Sequence, residues 1–159
     1  MKGEFQYQIG KLLAAQGTIA TIATLDENGA PHCVPTPFLQ LDERGRIVHL
    51  ELLETSSTHR NLLGSIWFER PVSVTLCGRD GEVLVISGRA YKALVSGPLF
   101  CSFYREVRSR MGDADLAAVW LIEPLKIRDE TYQVRKVIEE ASHPFYSHLD
   151  RLVIKEDSI

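Results

Sequence analysis

Three tight-turn signals constrain this chain most. Asp26-Glu27-Asn28-Gly29, Asp42-Glu43-Arg44-Gly45 and Arg79-Asp80-Gly81 each separate two apolar runs rich in β-branched residues. The first carries an Asn-Gly pair and the third an Asp-Gly pair, which accept the positive φ angles of a short hairpin turn. Strands joined this way are antiparallel, so a meander is expected rather than a doubly wound parallel sheet.

Around these turns the spacing predicts six strands. Residues 18–25 form the first and 31–41 the second. Pro31, Pro35 and Pro37 remove ladder donors from the second, which is expected at an edge, at a bulge, or interrupted. Residues 46–53 form the third, and 72–76 alternate with period two as the fourth. Residues 82–95 form a long fifth strand with Gly88 in its middle, where a bulge is expected. Residues 117–127, carrying Trp120, form the sixth. Helices are expected over 4–16, about 58–68, 98–111 and 133–141. In the first, Phe5, Ile9, Leu12 and Leu13 recur at helical steps. In the third, Leu99, Phe100, Phe103 and Val107 share a face, and Arg105, Arg108 and Arg110 are expected on a solvated one. The fold class is therefore α+β, mainly β: six antiparallel strands with peripheral helices.

With 159 residues the chain is expected to be one domain, 1–159, with a core of about 18–127 and a C-terminal helical tail of 128–159. The formal net charge of -3 gives no electrostatic reason to expect nucleic acid. No apolar run approaches the ~20 residues of a membrane span. The first residues are too polar to open a signal peptide. Cys33, Cys77 and Cys101 are odd in number and widely spaced. They are expected as reduced, apolar fillers in a cytoplasmic protein. The histidines are scattered too, so no metal site is expected.

The stretch 52–62 carries the chemistry. Thr55, Ser56, Ser57 and Thr58 precede an apolar helix start, followed by His59, Arg60 and Asn61. Such hydroxyls serve as N-caps, and the same helix start attracts anions such as phosphate. Both readings stand at this point. Just before it, His49 and Glu51 face one side of a strand, where a surface pair is expected. Phe38 and Trp120 are expected in the core, Trp120 alternatively at a dimer interface. No nucleophile–base constellation, P-loop or dinucleotide fingerprint occurs, and no catalytic residue is named.

Four pieces, in order, resemble the FMN-binding split barrels related to pyridoxamine 5′-phosphate oxidase. They are Ile19-Ala20-Thr21-Ile22-Ala23-Thr24-Leu25-Asp26-Glu27-Asn28-Gly29-Ala30-Pro31-His32, then Pro35-Thr36-Pro37-Phe38. Next comes Ser56-Ser57-Thr58-His59-Arg60-Asn61-Leu62, similar to the family's S-x-K-x-x-N-L. The last is Arg70-Pro71-Val72-Ser73-Val74-Thr75-Leu76. The similarity covers about residues 18–92 and, more weakly, the Trp120 strand. It implies a six-stranded split barrel, a homodimer, and FMN in clefts between subunits. Ring-side positions would be Val34, Pro35, Thr36, Pro37 and Phe38. Phosphate-side positions would be His49 and Leu50, then Ser56, Ser57, Thr58, His59, Arg60 and Asn61.

The sequence departs from the family pattern in places. Val34 and about Leu39 stand where the oxidase has basic residues, and the Lys of S-x-K falls on Thr58, or on His59 in an alignment shifted by one. The oxidase's C-terminal Arg-Leu-x-Pro is answered by Arg151-Leu152-Val153-Ile154, without the proline. The resemblance implies a flavin-dependent oxidoreductase of a small molecule. A non-catalytic flavin- or haem-binding module and a deazaflavin-dependent reductase are the alternatives on the same fold.

Overall fold

A computed structural model describes residues 2–143. The expected tail beyond residue 143, with Arg151-Leu152-Val153-Ile154, lies outside the described residues. The order is α1 (Lys2–Ala14), β1 (Ile19–Leu25), β2 (Pro31–Pro35), β3 (Leu39–Leu41), β4 (Ile47–Glu51), α2 (Ser57–Phe68), β5 (Pro71–Cys77), β6 (Val83–Leu94), α3 (Pro98–Met111), β7 (Ala118–Asp129) and α4 (Tyr132–Ser142).

All seven strands lie in one antiparallel sheet of order β2-β1-β5-β6-β7-β4-β3. The expected second strand is thus two. β2 and β3 are separated by Thr36, Pro37 and Phe38 alone, yet sit on opposite edges of the sheet. Thr36 N donates to Ala20 O on the first edge, and Leu50 N donates to Phe38 O on the second. This short segment therefore joins the edges, and the sheet curls into a barrel closed here by covalent chain instead of a ladder. Pro35 and Pro37 explain the break: neither has an N–H to give a ladder, so the chain leaves one partner and takes another.

The core is in two parts. Ile22, Val74, Leu76, Ile86, Ile47, Trp120 and Ile122 fill the barrel, with Ile9 and Leu12 of α1 and Leu62 of α2 closing it. Outside, Val48, Leu50, Val119 and Leu121 pack under Val107, Phe100 and Phe103 of α3. β4 is consequently buried along its whole length on both faces. Each such aliphatic side chain contributes on the order of 1.5–3 kcal/mol by leaving water.

Gly88 sits where the β6–β7 register shifts, as its place in mid-strand predicts. A Cβ there would lie 2.6 Å from the Glu123 carbonyl oxygen, so only glycine admits this approach. One expectation needs correction. Cys33 and Cys101 are exposed rather than core fillers, because they fall on outward positions of β2 and α3. Arg110 is solvated as expected, and it also pairs with Glu106 and lies 6.0 Å from the centroid of the Phe38 ring.

Candidate functional site

The strand switch and the start of α2 face each other across a cavity of about 360 Å³. One wall is Val34, Pro35, Thr36, Pro37 and Phe38. The floor is His49, Leu50 and Glu51 of β4, continued by Leu52 and Leu53. The far wall is Ser56, Ser57 and Thr58, with His32 and Met111 at the sides. The broken ladder at 36–38 is what lets a flat group approach this backbone, since two strands have parted there.

The α2 start is built by its cap. Ser56 has extended backbone, and its Oγ accepts from His59 N at 2.9 Å. This fixes the phase of the first turn. Ser57 and Thr58 fall on the cavity side, and their amides at the first two helical positions have no intrahelical acceptor. Thr58 Oγ1 also meets His32 Nε2 at 3.3 Å.

The floor holds a buried polar chain. Thr36, His49 and Glu51 are only 6%, 5% and 7% exposed. Thr36 Oγ1 lies 3.2 Å from His49 Nδ1, and His49 Nε2 lies 3.5 Å from Glu51 Oε2. Glu51 Oε1 accepts from Leu53 N at 3.1 Å. Burial pushes the Glu51 carboxyl up, but the bonds from His49, Leu53 N and Ser56, together with the attraction of His49, hold it below its ordinary value. The carboxylate is therefore ionised at neutral pH. The expected surface pair is instead a buried one, because α3 covers one face of β4 and the switch segment the other.

Ten of the thirteen candidate positions converge on the cavity: Val34, Pro35, Thr36, Pro37, Phe38, His49, Leu50, Ser56, Ser57 and Thr58. The other three do not line it. His59 turns inward, where Trp120 Nε1 donates to its Nδ1 at 3.1 Å and the rings meet edge to face. Asn61 is buried and donates from Nδ2 to Thr24 Oγ1 at 3.0 Å. Arg60 is exposed. Sequence reasoning missed His32, Glu51, Leu52, Leu53 and Met111 as lining residues. Period two was the available signal for two of them: His32 shares a face with Val34 and Thr36, and Glu51 with His49. Among the described residues no three His, Cys, Asp or Glu side chains are grouped as a metal site would need.

No family model matches the sequence, and no curated protein does. Solved structures do. The HupZ protein of Group A Streptococcus matches with a TM-score of 0.64 at 19% identity, over 79% of this chain and 94% of that one. An FMN-binding protein of Syntrophomonas wolfei matches with a TM-score of 0.62 at 14% identity, over 82% and 88%. A pyridoxamine 5′-phosphate oxidase-like protein of Listeria innocua matches with a TM-score of 0.58 at 16% identity, over 80% and 98%. The fold is that of the split barrels related to pyridoxamine 5′-phosphate oxidase. At these identities the likeness is one of fold. Split barrels among the matches also include one named F420 reductase and one named as the haem storage protein HutZ of Vibrio cholerae. The cavity of this split barrel lies where its broken strand faces the first turn of α2.

Proposed function

We propose that this protein binds FMN in the cavity and serves as a flavin-dependent oxidoreductase of a small molecule. The observation that carries the reading is the pairing of two unlike walls. Val34 and Pro35 at the end of the edge strand β2, with Pro37 and Phe38 just beyond it, give a largely apolar strip suited to a flat ring. Ser57, Thr58 and the open amides of α2 give donors suited to a phosphate. Bound FMN would supply hydride or electron transfer at its N5, and the protein would supply binding, orientation and electrostatics. A homodimer is part of the proposal, and so is a cytoplasmic location. Among the described residues no helix is long and apolar enough to cross a membrane.

The haem alternative gains no support from His59. Trp120 Nε1 can only donate, so His59 Nδ1 must accept, and in the neutral ring the proton then sits on Nε2. Iron could not be ligated at Nε2 without breaking that bond.

The test is a visible spectrum of freshly purified protein, repeated after adding FMN and removing the excess. Retained flavin bands are the expected result. Ser57→Ala and Thr58→Val should each weaken FMN binding by several-fold, the loss of about one charge-assisted bond apiece. A colourless protein that retains no FMN overturns the reading. Parallel titration with a deazaflavin or haem shows whether either replaces it.

A further inference from the structure

The cavity wall includes no lysine or arginine among the described residues. Its one fixed charge is negative, the Glu51 carboxylate. Arg110 stands behind Phe38 and is paired with Glu106. Among the described lining residues a phosphate meets hydroxyls and amides but no permanent cation. Charge can appear on the wall only on an imidazole, at His49 or His32.

The surroundings separate the histidines. His49 Nε2 faces the Glu51 carboxylate at 3.5 Å, which favours an imidazolium. His49 Nδ1 faces the Thr36 hydroxyl, which serves as donor to the neutral ring and as acceptor from the charged one. From β7 the facing group is Trp120, from β3 it is Leu39, and neither is charged. His32 bonds Thr58 in the first turn of α2, and His59 sits in the same turn. Neither faces a carboxylate in the contacts described, and His59 does not line the cavity.

We propose that His49 takes up a proton when an anionic, phosphate-bearing ligand enters the cavity. The imidazolium, held by Glu51, supplies the counter-charge that the wall otherwise lacks. The proton comes from solvent, and Thr36 reverses its bond from donor to acceptor as the ring is charged. This rests on the FMN reading and makes FMN affinity depend on pH. Wherever His49 is neutral in the free site, binding must import the proton.

The experiment is calorimetric titration of the full chain with FMN and with riboflavin, in two buffers of different ionisation enthalpy, between about pH 7 and about pH 9. In this range the phosphate stays largely dianionic, its second pKa lying near 6. The expected result is uptake approaching one proton per FMN. FMN affinity should fall by up to about tenfold per pH unit, and riboflavin should show neither effect. Loss of the uptake in His49→Gln, with the uptake retained in His32→Gln whatever its affinity, supports the assignment to His49. FMN that binds with no uptake beyond that of riboflavin overturns the proposal and leaves the cofactor reading standing. Uptake that persists in His49→Gln overturns the assignment. No FMN binding at any pH overturns the cofactor reading, and this proposal with it.

Discussion

Glu51 shows how much one side chain's surroundings decide. Its carboxyl is held below the ordinary value of 4.5 by hydrogen bonds that outweigh burial. The unfolded chain thus binds more protons than the folded one in the acid range, and stability rises with pH there. Glu51 contributes fully above about pH 4.5, and the contribution is lost as pH falls through the lower folded value. Glu51→Gln cannot ionise. Its urea midpoint should vary less between about pH 6 and about pH 3 than that of the wild type. Equal slopes for the two proteins would refute an ionised, hydrogen-bonded Glu51. Trp120 poses the complementary case. Trp120→Phe keeps a large ring in the barrel but leaves His59 Nδ1 without its donor. Denaturant unfolding should show a loss of about 1–3 kcal/mol, the cost of a buried polar atom left unpaired. A neutral outcome would mean that His59 finds another partner.

At the scale of elements, α2 depends on a single residue for its phase. Ser56 accepts from His59 N, and its hydroxyl helps hold the Glu51 carboxyl below its ordinary value. Ser56→Ala should cost about 0.5–2 kcal/mol as an N-cap loss, toward the upper end because Glu51 loses a donor as well. Thermal unfolding measures the cost, and a parallel FMN titration should show weaker binding, since Ser57 and Thr58 lose their fixed orientation. The elements also show what could be read beforehand. The hairpins were legible because Asn28-Gly29 and Asp80-Gly81 act locally. The bulge at Gly88 was legible for the same reason. Pro35 and Pro37 foretold an interrupted strand, but not that its halves would lie on opposite edges, because that depends on β5, β6 and β7 coming between β1 and β4 in the sheet. His49 and Glu51 were legible as a same-face pair. Their burial was not, since it depends on α3 and on the switch segment packing over both faces of β4. Of the residues at 56–61, which ones face the cavity turns on the phase of α2. Sequence alone left that phase open.

At the scale of the whole molecule, apolar surface stays uncovered among the described residues. Trp67 and Phe68 at the end of α2 are 80% and 69% exposed, and Val137 of α4 is 65% exposed. α4 has no buried residue among its eleven, although Val134, Val137 and Ile138 follow a helical stripe. Side chains of this size each gain on the order of 1.5–3 kcal/mol when covered. Such surface is what the proposed homodimer would cover. A second copy is the occupant that the proposed homodimer supplies. Light scattering at micromolar concentration should therefore give a dimer mass, and Val137→Glu combined with Ile138→Glu should shift it to the monomer. If the cavity is completed across that interface, the same variant should lose FMN affinity although none of the lining residues has changed. A monomeric wild type would refute the dimer. A monomeric variant that still binds FMN as tightly as the wild type would instead place the whole cofactor site within one protomer.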